Sequence, residues 1–216
     1  MKKEQKQTRI FYTDGACKGN PGPGGYGVIE IVNTTYKMKN RKTNEILKEI
    51  TIPEVKYFHS AQSDLTTNNR EELKAIIHVM ELATADPDTE YLVYSDSAYA
   101  VNMINDWIWK WAKSDWYNSK NKEVENSDLV KEIYKYLTIE FFNFQIKKCK
   151  GHAGLIGNEL ADALATNDYK KYCKILIDNE MLLEKKAPEF ISPKYNSKTK
   201  KLEYSDCEIE SESTPI

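Results

Sequence analysis

Four acidic side chains lie in separate local patterns, and each pattern places its acid where a metal ion could bind. Two follow short apolar strands, one lies on the apolar side of a predicted helix, and one lies in a short helix after a Gly-rich loop; in that order they are Asp14, Asp96, Glu72 and Asp162. Such carboxylates repel one another and lose hydration unless a cation compensates. The four acids therefore predict a site for a hard metal ion that prefers oxygen ligands.

The elements that must position these acids follow an α/β pattern. A strand at 9–13 leads through a Gly- and Pro-rich turn into a second strand at 26–32, which is typical of a hairpin. A capped helix follows over 71–85, and then a continuous apolar strand at 91–94. Binding sites in open α/β sheets collect beyond the carboxyl ends of strands, which is where Asp96 lies.

Position within a predicted helix distinguishes neighbouring acids as candidate metal ligands. Glu72 is in register with the apolar Ile76, whereas Glu71 is rotated by about 100° and is expected to face solvent. In the last predicted helix we favour Asp162 over Glu159, because a first-turn acid is commonly explained by the helix dipole.

The overall chain fits one main domain with an extension. With 216 residues, 40% hydrophobic content and a net charge of −2, the chain has enough apolar residues for a core and no global basic character. We predict a domain at 8–167 and an extension at 168–216 that contains one helix, at 172–183, and then a mobile acidic tail. The polar stretch 33–60 is long enough for an insertion between strands, and its apolar residues mark possible further strands; they are Ile50, Ile52, Val55, Tyr57 and Phe58.

Composition and the first residues of the chain argue against a structural zinc site, a signal peptide and a membrane span. The four cysteines are scattered without a C-x-x-C pair, so a structural zinc site is not expected. The polar start resembles neither a signal peptide nor a membrane span. We expect a soluble, reduced, cytoplasmic protein with no membrane association.

Four motifs in order resemble those of type 1 ribonuclease H of the bacterial kind. They lie at residues 13–27, 66–73, 95–97 and 150–162, and the resemblance covers about residues 8–167. It implies a ribonuclease H-like α/β fold, with a mixed five-stranded sheet flanked by helices and a Trp-rich basic protrusion. It also implies an endonuclease that cleaves the RNA strand of RNA–DNA hybrids and leaves 5′-phosphate and 3′-hydroxyl ends.

The resemblance also implies roles for individual residues. Two Mg²⁺ ions, with Mn²⁺ as a substitute, would be held by the four carboxylates. Asp14 would bridge both ions, Glu72 and Asp96 would hold the ion near the leaving group, and Asp162 would hold the ion that carries the attacking water. His152, in a loop beside Gly151, would relay a proton.

Substrate contacts are expected from two segments. Short polar side chains can reach phosphates and 2′-hydroxyls, and they are Asn20, Thr67, Asn68 and Asn69. Residues 107–122 combine four Trp with four Lys and one acid. In this segment we expect Trp107 and Trp111 to pack inward, and the predicted substrate contacts are Trp109, Lys110, Lys113 and Trp116.

Other functions stay open at the level of sequence. A non-catalytic hybrid-binding module, a DNA nuclease of the same superfamily and a domain of a reverse transcriptase share the fold. All four carboxylates are present, which favours a catalyst, and we expect a monomer. The chain departs from the family pattern in the stretch 33–60, in Ala98 and in the segment after residue 167.

Overall fold

A computed structural model describes residues 7–140, 142–182, 194–196, 201–203 and 207–216. The chain divides into two compact units. The first comprises Met1–Glu30 and Tyr57–Tyr172, and the second comprises Ile31–Lys56 and Cys173–Ile216. In the parts of the chain that the structure describes, no helix is long and apolar enough to cross a membrane.

The sheet is open and mixed, as the family resemblance implies. Five of its six strands are β1 (Thr8–Cys17), β2 (Gly22–Asn40), β3 (Ile46–Thr66), β4 (Glu90–Ser95) and β5 (Phe144–Lys148), in the spatial order β3-β2-β1-β4-β5, and the sixth pairs with β2. The central strand β1 pairs antiparallel with β2 and parallel with β4, and β4 pairs parallel with β5. Because β1 and β4 are parallel neighbours, the residues that follow Thr13 and Ser95 emerge at one edge of the sheet.

Helices complete the first unit. They are α1 (Asn68–Ala85), α2 (Ala98–Asn102), a π-helical turn (Met103–Trp107), α3 (Ile108–Lys113), α4 (Ser127–Leu137), α5 (Ile156–Ala165) and the first residues of α6 (Tyr169–Asp178). The side chain of Thr67 caps α1, and the helix buries a wide apolar stripe that includes Leu73, Ile76 and Met80. This stripe joins apolar residues of β1 and β4, such as Phe11 and Val93, in one core cluster. The core thereby anchors the start of α1 beside β1.

The possible strands within the polar stretch 33–60 are confirmed, since all of it except residues 41–45 lies in β2 or β3. Strand β2 continues to Asn40, and β3 starts at Ile46. In the second unit, the Tyr36 hydroxyl donates to the Glu54 carboxylate at 2.7 Å, and the Thr35 and Thr51 hydroxyls lie 2.9 Å apart. Polar pairs across the two strands therefore replace the apolar alternation that sequence analysis looks for.

The acidic end of the chain differs from the mobile tail that its composition predicts. Strand β8 (Cys207–Pro215) pairs antiparallel with β2, in a register from Val32↔Pro215 to Asn40↔Cys207. Lys39 of β2 forms an ion pair with Glu210. Composition alone does not predict this strand, because its order depends on β2, which lies more than a hundred residues away in sequence. Strand β2 supplies the backbone hydrogen bonds, and Lys39 supplies a positive charge to the acidic segment. Two short strands, β6 (Lys194–Asn196) and β7 (Lys201–Glu203), form a separate antiparallel pair.

The helix predicted at 172–183 occurs earlier, as α6. Its start is set by Asp168, whose side chain accepts a hydrogen bond from the Lys171 amide at 2.9 Å. The part of the prediction beyond residue 182 lies outside the described residues. The domain boundary at residue 167 stays a prediction.

Gly15 sets how closely β1 approaches the first turn of α1. A Cβ at this position would lie 2.2 Å from the Glu72 backbone nitrogen and 2.6 Å from the Glu71 carbonyl carbon. Both neighbours are backbone atoms, so a side chain fits only if the helix moves away from the strand.

We expect Gly15→Ala to lower the free energy of unfolding by about 2–3 kcal/mol, because of this overpacking. Gly154→Ala is the control. Its Cβ would meet nothing within 4 Å, although its φ of +76° is unfavourable for alanine, and we expect a loss of about 1 kcal/mol. Urea unfolding followed by circular dichroism measures both. Equal losses would contradict the close approach.

Candidate active site

Three carboxylates meet at the edge of the sheet. Asp14 is in β1, Glu72 is near the start of α1, and Asp96 follows β4; one carboxylate oxygen of each lies within 4.8 Å of those of the other two. Asp14 is 8% exposed and Glu72 is 3% exposed. Three acids that are far apart in sequence thus form one largely buried cluster.

Burial and mutual repulsion disfavour the charged forms of this cluster. Burial first, and then the charges of Asp96 and Asp162, raise the pKa of Asp14 to about 8. The Gly15 amide donates to Asp14 Oδ1 at 2.9 Å and opposes this shift only in part. Burial, followed by the charges of Asp14 and Asp96, also raises the pKa of Glu72 well above its ordinary value.

The donor set fits a hard divalent cation. Glu72 Oε2 is buried and has no hydrogen-bond partner among the described residues, which also supply no Lys or Arg in an ion pair with this side chain. Carboxylate oxygens are the ligands that Mg²⁺ and Mn²⁺ prefer. A cation here would coordinate the unpaired Oε2 of Glu72 and would also offset the repulsion among the three carboxylates.

A second group of potential ligands involves Asp162. Ligand atoms of His152, Glu159 and Asp162 all lie within 4.8 Å of one another. Asp162 is also close enough to Asp14 to raise the pKa of that carboxyl through its charge and a hydrogen bond. The structure therefore brings all four predicted acids together, with Asp14 and Asp162 as the link between the two groups.

His152 lies in an exposed position of the loop before α5. Its backbone is left-handed, with φ of 48°, and Gly154 two residues later has φ of 76°. Its imidazole belongs to the group that contains Asp162. The loop thus places an ionisable ring beside the carboxylates while leaving it open to solvent.

Asn158 is a site residue that sequence reasoning missed. Its side-chain amide donates to Asp96 Oδ2 at 3.2 Å, and its oxygen accepts a bond from the Cys149 thiol at 3.4 Å. Asn158 lies in the first turn of α5, which begins at Ile156 with Leu155 as its N-cap. The one available signal was the spacing of four residues from Asp162, which places both side chains on one helix face.

The expectation that Glu71 faces solvent was wrong. Glu71 is fully buried, and its Oε1 accepts hydrogen bonds from Thr66 at 2.6 Å, Lys74 at 2.6 Å and Ser63 at 3.0 Å. Rotation away from Glu72 points this side chain toward β3, not toward water, because β3 covers that side of the helix. The Lys74 ammonium compensates its charge, although Oε2 lacks a partner among the described residues.

The predicted phosphate and ribose contacts gather at the start of α1. Asn20 Oδ1 accepts a hydrogen bond from the Asn68 amide at 3.0 Å, and Thr67 Oγ1 accepts one from the Arg70 amide at 3.4 Å. Asn68 is exposed and Asn69 is half-buried. These residues order the N-terminus of the helix, where free amides favour anions.

The Trp- and Lys-rich segment is only partly exposed. Trp107 and Trp111 are half-buried against the core, as expected, with ring centroids 5.9 Å apart. Trp109 is 41% exposed. Lys113 is exposed, and Lys110, also exposed, pairs with Asp106 at 2.7 Å.

Trp116 is less open than sequence analysis suggests. It is half-buried against the core and packs edge-on to Tyr134, with ring centroids 5.3 Å apart. Substrate contact by Trp109, Lys110, Lys113 and Trp116 stays a prediction.

Comparisons with known proteins identify the family to which this chain is similar. The RNase H family model matches residues 6–170. Ribonuclease H of Caldanaerobacter subterraneus subsp. tengcongensis is 42% identical over 165 residues, which cover 76% of this chain and 92% of that protein. Ribonuclease H of Caldicellulosiruptor saccharolyticus is 39% identical over 163 residues, which cover 75% and 96% of the two chains.

A solved structure shares the fold. It is LC9-RNase H1, described as a type 1 RNase H with the type 2 active-site motif, and it is 24% identical with a TM-score of 0.54. The match covers 75% of this chain and 72% of that chain. The last residues of this chain, beyond 170, fall outside the family match.

Without divalent metal, Asp14 should destabilise the folded protein as the pH rises. Its pKa in the folded state, about 8, lies above the value of about 4 in an unfolded chain. The folded state therefore binds more protons, and stability is lost between these two pH values. In a chelator at pH 8 we expect Asp14→Asn to raise stability by about 1–3 kcal/mol, or roughly 3–10 °C in Tm.

This gain should shrink toward pH 5 and disappear when Mg²⁺ is added to the wild type. Thermal unfolding across this pH range measures it, and Asp88→Asn, at an exposed position, is the matched control. Identical Tm values for Asp14→Asn and wild type at every pH would contradict the repulsion within the cluster.

Glu71 and Glu72 should respond in opposite ways to the same substitution. Glu71→Gln removes the charge beside Lys74 and turns an amide toward three donors, so we expect a loss of about 1–3 kcal/mol. Glu72→Gln removes a repelled carboxylate, so stability in a chelator should stay level or rise, while Mn²⁺ binding weakens. Urea unfolding and Mn²⁺ titration distinguish the two. A larger stability loss for Glu72→Gln would reverse the assignment.

Proposed function

This chain belongs to the ribonuclease H family, and we propose that it hydrolyses the RNA strand of RNA–DNA hybrids with the help of divalent metal ions. The observation that carries the proposal is the buried cluster of Asp14, Glu72 and Asp96, with Asp162 beside it. Its carboxylates are costly to keep charged without a cation, and that cost is characteristic of a site built around metal ions.

The proposed chemistry follows from what a phosphodiester requires. Its anion repels a hydroxide nucleophile, and its alkoxide is a poor leaving group. Two divalent ions held by these carboxylates would supply the missing chemistry, since they would activate a water molecule and stabilise the leaving oxygen. The RNA strand would then be cut with a 5′-phosphate and a 3′-hydroxyl.

Each carboxylate has a position suited to one part of this task. Asp14 belongs to the first ligand group and lies close to Asp162 of the second. Its position would therefore suit a ligand that is common to both groups. Glu72 and Asp96 complete the first group, which we assign to the leaving-group side. Asn158 holds one oxygen of Asp96, and this bond orients the carboxylate toward the cluster.

His152 is proposed to move a proton. Its exposed ring shares a ligand group with Asp162 and Glu159. An imidazole near neutral pH can accept a proton from water or return one to the leaving oxygen. Because the loop is open to solvent, the proton can then pass to bulk water.

Selectivity for RNA paired with DNA is proposed to come from outside the carboxylates. The Asn and Thr side chains at the start of α1 offer short polar groups that can read 2′-hydroxyls. The exposed Trp109 and the lysines near it offer a stacking surface and positive charge for the other strand. The carboxylates alone would act on many phosphodiesters.

An assay with end-labelled substrates tests the proposal. RNA–DNA hybrid, duplex DNA and duplex RNA are each incubated with Mg²⁺, with Mn²⁺ or with EDTA. We expect cleavage of the hybrid's RNA strand alone, dependent on metal, and a loss of roughly a thousandfold or more in Asp14→Asn. Asp88→Asn, which replaces an exposed acid, should leave the rate unchanged.

Two results would overturn the proposal. An RNA strand that survives in hybrid under every metal condition would indicate a binding module. Cleavage of duplex DNA in preference to hybrid would indicate a DNA nuclease of the same fold.

A further inference from the structure

A lysine just past the family match contacts one of the proposed metal ligands. The Lys171 ammonium donates to Asp162 Oδ2 and lies 3.3 Å from Glu159 Oε2. The family match ends at residue 170, so Lys171 lies one residue beyond it. Two of the three side chains in the second ligand group are therefore held by one ammonium.

The position of Lys171 is set by its own helix. The Asp168 side chain accepts a hydrogen bond from the Lys171 amide, and the Tyr172 amide donates to the Asp168 carbonyl at 3.0 Å. These bonds order the first turn of α6 next to the end of α5. The Lys171 side chain is 33% exposed, and that of Asp162 is 17% exposed, so water screens their attraction only in part.

An ammonium and a metal ion that share one carboxylate repel each other and compete for its negative charge. A cation that binds at Asp162 must displace Lys171 from Oδ2 or bind beside a positive charge, and both reduce its affinity. Without the metal, the same ammonium offsets the repulsion between Asp162 and Asp14. Lys171 thus favours the metal-free arrangement of this half of the site.

We propose that Lys171 is a positioning residue that serves as the resident counter-ion of Asp162 and competes with the metal ion for its carboxylate. It therefore raises the metal concentration that the Asp162 half of the site requires. The inference rests on the proposed function in one respect, the assignment of Asp162 as a metal ligand.

Metal binding to the substrate-free protein tests this directly. Mn²⁺ is titrated into full-length, chelator-treated protein, and the free ion is followed by its electron paramagnetic resonance signal. Loss of a partly exposed ion pair corresponds to a change of about two- to fivefold in a dissociation constant. We expect Lys171→Met to tighten Mn²⁺ binding by that factor, and Lys171→Arg, which keeps the charge, to remain near wild type.

Lys170→Met is the matched control. Lys170 is the preceding residue of α6, is exposed, and has no ion pair with the site acids among the described residues. The substitution changes net charge equally, so any tightening caused by net charge alone appears in both variants. Thermal unfolding in a chelator checks that each variant folds, and Lys171→Met should be slightly less stable than Lys170→Met.

A double-mutant cycle ties the effect to Asp162. In an Asp162→Asn background we expect Lys171→Met to leave Mn²⁺ affinity unchanged, because the shared carboxylate is gone. Equal affinities for Lys171→Met and Lys170→Met would overturn the inference, and so would weaker binding in Lys171→Met.

Failure of this inference differs from failure of the proposed function. If Lys171→Met tightens Mn²⁺ binding while hybrid RNA is not cleaved, the inference stands and the proposed activity falls. If Asp162→Asn leaves Mn²⁺ binding unchanged, Asp162 is not a ligand, and both the inference and that part of the proposed function are overturned.

Discussion

Repulsion among buried carboxylates is the constraint on which the rest of the first unit depends. Asp14, Glu72 and Asp96 approach within a few ångströms in a place with little water. Such an arrangement opposes folding in the absence of a cation, so the core must hold the acids in place against it. The strand β1 at the centre of the sheet and the apolar stripe of α1 supply that support.

The same constraint explains several polar contacts near the site. Asn158 holds Asp96, the Gly15 amide holds Asp14, and Lys171 compensates Asp162. Glu71 shows the contrast, because this neighbour of Glu72 is equally buried but is neutralised by Lys74. Two adjacent acids on one helix thus differ in electrostatic environment, because among the described residues only Glu71 has a protein cation beside it.

Local pattern predicted the main elements because the signals lie within a few residues. The hairpin of β1 and β2, the apolar strand β4 and the stripe of α1 all follow from turn residues and periodicity. The strand β8 could not be predicted from local pattern, because its acidic composition favours a mobile tail and its order comes from pairing with β2. The prediction that Glu71 faces solvent was wrong for a related reason. Helical rotation gives the direction in which the side chain points from α1, but it does not reveal that β3 covers that side of the helix.

The sequence by itself determined which residues are candidates for chemistry, because the four acids stand in motifs whose order and composition resemble one family. It also indicated the α/β class through the alternation of apolar strands and capped helices, whereas the mixed sheet was implied by the family resemblance. Tertiary structure decided which charges share one environment, since burial, repulsion and counter-ions depend on distances between distant segments. The orphaned oxygen of Glu72, the bond from Asn158 to Asp96 and the ammonium of Lys171 on Asp162 exist only after the chain has folded.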